Sequence, residues 1–306
     1  MTEQTSTDKQ PAERIEGRIA VIGVDTPVAR LVPSRQRRTI GAWCFLDHLG
    51  PADFAPGEGM NVGPHPHIGL QTFTWMIEGE VRHLDSLGND IVITPGQVNL
   101  MTAGHGISHA EVTPPVTSPR VHASQLWIAL PDSHRHMHPQ FKNYKDLPVY
   151  TQDGFTVTLL VGARDGQTSP VEVYTPLLGL DLYSKEGGAT KLSLNPAFEH
   201  GIVALQGTVA IDGEVLPHGT LHYQPTGSTG VDIQTSADAR VLVVGGEPFP
   251  EDIIVWWNFV ARTHDEIAVA RADWVAEAPR FGRVDHPHAG TRLSIPPLEG
   301  HLKGAH

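Results

Sequence analysis

Two short histidine motifs carry the chemistry that this chain could perform. Gly63-Pro-His65-Pro-His67-Ile-Gly69 sets two imidazoles at i and i+2, and Ser108-His109-Ala-Glu111 sets an imidazole and a carboxylate at the same spacing. On an extended chain, residues two apart point to one face. Each motif can therefore present two ligands together, and two neighbouring strands of a small barrel could bring all four side chains to one point. Pro66 does not oppose this, because proline is tolerated at strand starts and edges. Three neutral imidazoles and one carboxylate suit Fe(II), Mn(II), Ni(II) or Zn(II), and leave one or two positions open on an octahedral ion. With no cysteine nearby, an iron–sulfur cluster or a structural zinc knot is disfavoured.

A lone HxH pair is more often solvent-facing or hydrogen-bonded than metal-bound. His286-Pro-His288 has the same local spelling but no HxE partner, and His134-Arg-His136-Met-His138 follows a strand ending at Leu130-Pro131 and reads as a polar loop. His105, between two glycines, reads either as support for a ligand or as a turn residue. What lifts the first pair is its conjunction with the second. Ten of the 18 histidines fall between His48 and His138, in under a third of the chain.

The elements that must position these residues are strands. Short β-rich runs such as Gln71–Ile77, Asp90–Thr94, Ser124–Leu130 and Phe155–Val161 are punctuated by turn residues drawn from 31 glycines and 25 prolines. The second half continues with Leu177–Tyr183, Gly201–Leu205, Val209–Ile211 and Arg240–Val244. Many short strands without repeated intervening helices predict an all-β barrel or sandwich. If no bulge intervenes, Phe73, Trp75 and Ile77 share the parity of His67 and could line a cavity beside an ion, with ordinary core packing preferred for Trp75. One helix is expected over about residues 264–276, where Thr263 and Glu266 form a capping box and Ile267, Ala270 and Trp274 recur at helical spacing. Residues 1–12 lack apolar anchors and read as disordered, and the last thirty are expected to wrap the surface or fray.

The chain is 306 residues long with 22 Lys+Arg against 34 Asp+Glu, a net charge of −12. That balance argues against direct nucleic-acid binding, which needs a basic face. One cysteine, Cys44, cannot form an intramolecular disulfide, so no oxidising compartment is implied. No signal-like leader or membrane-length apolar run is present, which reads as a cytoplasmic protein with no membrane contact. The length suits two domains. A faint repeat agrees: Ile77-Glu-Gly-Glu-Val81 resembles Leu205-Gln-Gly-Thr-Val209, and Ile93-Thr-Pro-Gly96 resembles Val215-Leu-Pro-His-Gly219. Two duplicated β-barrels account for it.

Taken together, His65-Pro-His67-Ile-Gly69, the Trp75-containing strand with Glu78-Gly79, and Met101-Thr-Ala-Gly-His-Gly-Ile-Ser-His-Ala-Glu111 closely resemble the pirin family of bicupins. Gln125-Leu-Trp-Ile-Ala-Leu-Pro131 and Gly246-Glu-Pro-Phe-Pro-Glu-Asp-Ile253 with Asn258-Phe259 extend the likeness over residues 15 to 298. The resemblance implies an all-β fold of two tandem cupin (double-stranded β-helix, or jelly-roll) barrels with one short C-terminal helix. The expected division is a metal-binding barrel over 13–165, a metal-free barrel over 166–262, and a helix with wrapping tail over 263–306. The resemblance also implies one Fe(II) per chain, with other divalent metals conceivable, held in the N-terminal barrel by His65, His67, His109 and Glu111. Gln71 stands where the common cupin motif has its glutamate ligand, so the carboxylate must come from Glu111. Projecting the repeat puts Ser193, Asn195, Asp232 and Gln234 at the corresponding places of the second barrel, where no metal is expected.

As to activity, the resemblance implies a quercetin 2,3-dioxygenase: an oxidoreductase that cleaves a flavonol or similar aromatic enol with O2 and releases carbon monoxide, with Glu111 as ligand and as the base that removes the hydroxyl proton. Two other readings stand beside it. One is an iron-binding regulator that docks on a transcription factor or metabolic enzyme as its protein partner. The other is a cupin isomerase or hydrolase that uses the ion as a Lewis acid without O2. Fold alone does not choose among them.

Overall fold

The computed structural model describes residues 11–22, 26–55, 58–114 and 120–305; the expected disorder of residues 1–12 lies almost wholly outside them. Alternating apolar and polar residues, broken by turns, give strands that must bury one face. In the first half a seven-stranded antiparallel sheet runs in the order Gln140–Tyr144, Val98–Thr102, Leu70–Glu78, Arg120–Ala129, Trp43–Asp53, Thr26–Val32, Arg18–Ile22. A four-stranded sheet, Asn61–His67, Ile107–Val112, Val81–Asp85, Asp90–Ile93, faces it. Val28, Leu49, Met76 and Val121 of the larger sheet share one core with Val62, Val81 and Ile93 of the smaller.

The second half repeats the plan. Glu13–Glu16, Thr220–Gln224, Glu199–Gln206, Ala239–Gly246, Leu177–Ser184, Phe155–Val161 and Val149–Gln152 form seven strands, and Gly188–Ser193, Gly230–Thr235, Val209–Ile211 and Glu214–Leu216 form four. The two short sheets have the same order of equivalent strands. The repeated turns noted above close at Gly79 and Gly207, both in the left-handed region, with φ of +79° and +69°. Each half is thus the two-sheet jelly roll of a cupin.

Two strands cross the expected division. Val149–Gln152 and Phe155–Val161 hydrogen-bond into the second sheet through Leu177–Ser184, although the reading of 13–165 as one barrel puts them in the first. We propose a boundary between Tyr144 and Val149 instead. In the opposite sense, Glu13–Glu16 leaves the first half and pairs with Thr220–Gln224 of the second, Glu13 opposite Tyr223.

The two large sheets pack back to back. Trp43, Leu46, Phe73, Trp75 and Leu126 meet Leu177, Val203, Leu221, Tyr223 and Val244 in the largest buried cluster. The tryptophans also anchor polar ends across this seam: Trp43 Nε1 donates to Gly245 O (3.1 Å) and Trp75 Nε1 to Asp181 Oδ1 (3.2 Å). Burial pushes the Asp181 carboxyl up, and the paired guanidinium of Arg240 partly offsets it. Cys44 lies in the same seam, where burial pushes its thiol up to about 12.

The helix forms over His264–Val275 and buries Ile267, Ala270 and Trp274, with the Thr263–Glu266 capping box present as expected. Beyond it the tail wraps rather than frays. Leu293 N donates to Pro64 O (2.9 Å), and Trp274 Nε1 donates to Leu293 O (3.0 Å), so the tail lies along the strand that carries His65. Gly63 permits this approach, because a Cβ there would stand 1.9 Å from Thr291 O. No helix among the described residues is long and apolar enough to cross a membrane.

Candidate metal centre

His65 and His67 project from Asn61–His67, and His109 projects from its neighbour Ile107–Val112, with His65 directly opposite His109. The i, i+2 spacing brings His65 and His67 together, and strand pairing adds His109. Their ligand nitrogens all lie within 4.8 Å of one another, and all three side chains are buried. The backbone sets two tautomers. His65 Nδ1 donates to Gly63 O and His67 Nδ1 to Asn258 O, each at 2.9 Å. A carbonyl only accepts, so both Nε2 atoms keep their lone pairs. Burial pushes His65 down to about 4 and His67 and His109 well below the ordinary imidazole value, so all three rings are neutral.

The donors fit a divalent cation. His67 Nε2 and His109 Nε2 stand 3.0 Å apart. Two nitrogens bound to one ion at about 2.0–2.1 Å in neighbouring positions would have roughly that separation. Among the described residues, this is the one group of three potential ligands that comes so close. His105, His134, His136, His138, His286 and His288 do not join it. The His105 ring faces His138 at 5.5 Å, His134 stacks on Tyr174, and His286 packs against His288.

Glu111 stands outside that triad but lines the same cavity, of about 410 Å³. A bulge between His109 and Glu111 shifts the register, so Glu111 pairs with Val62 rather than with Gly63. Burial pushes its carboxyl up to about 7. The cavity's other carboxylate, Asp47, is clamped by Arg30, with Nε and Nη2 donating at 2.8 and 2.7 Å. Among the described residues no hydrogen bond reaches the Glu111 carboxyl group. The aromatic walls are Phe45 and Trp127, stacked at 4.0 Å, and Trp257. Trp127 meets His67 edge-on at 5.2 Å.

The conditional placement of Phe73 and Ile77 beside an ion is corrected, and Trp75 packs in the core as preferred. The strand does not continue: at Ile68-Gly69 the chain crosses from the four-stranded to the seven-stranded sheet, with Gly69 at φ of +69° and Val260 O 2.1 Å from where its Cβ would be. The next strand, in the facing sheet, has the opposite parity, so Thr72 faces the cavity, while Phe73, Trp75 and Ile77 face the seam between the halves. Trp75→Ala should then cost about 3–5 kcal/mol of stability, as large-to-small core changes do. It should leave metal stoichiometry unchanged. Denaturant unfolding and metal analysis of the variant check both parts.

In the second half the corresponding strands pair Lys191 with Asp232 and Leu192 with Val231. Leu192, Val231 and Ile233 fill that interior, and Lys191 and Asp232 are exposed. Sequence reasoning missed three supports of the first site: the carbonyl of Asn258, the edge contact of Trp127, and the pair His83 and Asp85 behind His109. Only the last had a local signal, since His83-x-Asp85 is again an i, i+2 pair on a strand. Burial alone would raise the Asp85 carboxyl, but hydrogen bonds from His83 and Asn89 hold it below the usual carboxylate value.

Comparison with known proteins agrees with this architecture. The Pirin family profile matches residues 25–128, and the profile of the Pirin C-terminal cupin domain matches residues 179–282. A Pseudomonas aeruginosa protein provisionally named quercetin 2,3-dioxygenase is 52% identical over 286 residues, covering 94% of this chain and 90% of that protein. Human pirin is 31% identical over 255 residues, covering 79% of this chain and 87% of its own. The crystal structure of a quercetin 2,3-dioxygenase from Acinetobacter baumannii superposes with a TM-score of 0.93 at 50% identity, covering 96% of this chain and 97% of that one. With both cupin halves matched and the three imidazoles buried in the first, the chain belongs to the pirin family.

Proposed function

We propose that the protein is an iron(II)-dependent quercetin 2,3-dioxygenase, an oxidoreductase that cleaves a flavonol with O2 and releases carbon monoxide. The observation that carries this reading is the triad of neutral imidazoles opening onto an aromatic cavity whose one carboxylate without a clamping arginine is Glu111. Two relatives near 50% identity that bear this enzyme's name support it. His65, His67 and His109 would hold the ion, with Glu111 as fourth ligand or close neighbour. Such an ion supplies Lewis acidity toward an enolic hydroxyl and a redox couple for O2.

The chain's own residues do the rest. About 410 Å³ lies within the range of pockets for drug-sized molecules, about 300–1,000 Å³. Phe45, Trp127 and Trp257 offer flat apolar surface to a planar aromatic substrate. Arg30, held by Asp47 and lying 4.4 Å over the Phe45 ring, keeps that wall in place. Glu111 accepts the proton of the flavonol 3-hydroxyl, leaving an electron-rich enolate. Both atoms of O2 end in the product, two carbon–carbon bonds break, and the carbon between them leaves as carbon monoxide. Glu111 then returns its proton to the cleaved product.

The test is anaerobic purification with iron analysis, followed by O2 uptake and carbon monoxide detection on a small flavonol panel. One iron per chain and equimolar O2 consumption and carbon monoxide release are expected. Metallated protein that consumes no O2 with any flavonol would remove the dioxygenase reading.

A further inference from the structure

Behind His109 lies a hydrogen-bonded chain that reaches away from the cavity. Val81–Asp85 runs beside Ile107–Val112, with Asp85 opposite His109 and His83 opposite Glu111. His83 and Asp85 are both buried. Asp85 Oδ1 accepts from Leu87 N (2.9 Å), Asn89 N (3.1 Å) and Asn89 Nδ2 (3.0 Å). Its Oδ2 accepts from Asn89 Nδ2 (2.9 Å) and from His83 Nε2 (3.1 Å). The His83 ring stacks on Phe141 at 4.4 Å and 17°, which fixes its plane. Its Nδ1 stands 3.4 Å from His109 Nδ1.

The tautomers along this chain follow in order. A carboxylate only accepts, so His83 Nε2 must carry a hydrogen. With the His83 ring in its neutral form its acceptor is Nδ1, and His109 Nδ1 is the donor in the next link. That leaves the lone pair of His109 on Nε2, the atom 3.0 Å from His67 Nε2. His65 and His67 obtain the same tautomer from backbone carbonyls, whereas His109 obtains it from side chains.

We propose that Asp85, acting through His83, sets the tautomer of His109 and thereby its ability to hold a divalent cation. Both are positioning residues, and the inference rests on reading His65, His67 and His109 as a metal centre. The nearest alternative, a purely structural role of Asp85 in closing the turn at 86–89, predicts no effect on the imidazoles.

Asp85→Asn separates the two. The backbone N–H groups of Leu87 and Asn89 can only donate, so they hold the amide oxygen at the Oδ1 place and turn its NH2 toward His83. His83 Nε2 must then accept, its Nδ1 donates to His109, and the His109 hydrogen moves to Nε2, where it blocks the ion. Histidine ¹⁵N–¹H correlation spectra of the metal-free protein should show His109 protonated on Nδ1 in the wild type and on Nε2 in the variant. Cobalt(II) affinity, read by chelator competition, should fall about 10–100-fold. His83→Phe keeps the stack on Phe141 and removes both hydrogen bonds. It should also weaken cobalt(II) binding by about tenfold or more, and it carries the test if Asp85→Asn does not fold. An unchanged His109 tautomer in folded Asp85→Asn, or cobalt(II) affinities within about threefold of wild type in both variants, would overturn the proposal. If the wild type binds no cobalt(II), or binds it equally well as His65→Ala, it is the metal reading that fails. The tautomer measured in the metal-free protein still decides whether Asp85 governs His109.

Discussion

Replacing His109 by alanine is expected to abolish stoichiometric metal and all flavonol turnover, while the protein keeps the circular dichroism of a folded β protein. His65→Ala should behave alike. Each change removes one of three convergent nitrogens, and among the described residues no other imidazole joins that group to replace the lost one. The fold should survive, because the barrel is held by its own cores. Val28, Met76, Val81 and Ile93 join the two sheets of the first half, and Phe73, Trp75 and Leu126 join it to the second. Metal is thus an addition to folding here, unlike small zinc domains that are unfolded without it. Metal analysis with far-ultraviolet circular dichroism checks both parts. One full equivalent retained in His109→Ala, or apo protein that is unfolded, would contradict the assignment.

Glu111→Gln is expected to separate two roles. As a ligand, an amide oxygen is a poor replacement for a carboxylate, so metal affinity should fall. As a base, an amide cannot take up the substrate proton, so saturating the variant with iron should restore metal without restoring turnover. General-base help is typically worth about 10²–10⁴-fold, and kcat of the fully metallated variant should drop by that amount. Recovery to within about threefold of wild type would assign Glu111 to metal binding alone. Asp47 is not expected to substitute, because Arg30 occupies both of its oxygens.

Much of the site was legible because its information is local. The i, i+2 rule needs only an extended chain, and it brought His65 and His67 to one face, where strand pairing adds His109. The capping box of Thr263 and Glu266 and the spacing of Ile267, Ala270 and Trp274 placed the helix for the same reason. What escaped depends on partners remote in sequence. At Gly69, against the backbone of Val260, the chain crosses from the small sheet to the large one, and nothing within either strand announces the change of parity. The tautomer of His67 is set by Asn258, 191 residues away. The pairing of Phe155–Val161 with the second sheet is likewise a matter of topology. Its alternation of apolar residues fits either sheet, so the hydrophobic pattern could not say which. His83 and Asp85 were readable by the same i, i+2 rule but lacked the second motif that drew attention to the others.

The strand Glu13–Glu16 is made well before its partner Thr220–Gln224, which lies about 200 residues further along the chain. At roughly 5–20 residues per second, that is a delay on the order of ten to forty seconds. Throughout it the early strand has no sheet to join, and the nascent second half has an open edge at Thr220–Gln224 until the strand arrives. Ile15, which ends almost fully buried, lacks this partner strand during the interval. The half that carries His65, His67 and His109 has all the strands of its two sheets by Gln140–Tyr144 and can pair them without waiting. Synthesis therefore lets the sheets that carry His65, His67 and His109 pair first, while Glu13–Glu16 and the cavity walls from Trp257, Asn258 and Leu293 join them later.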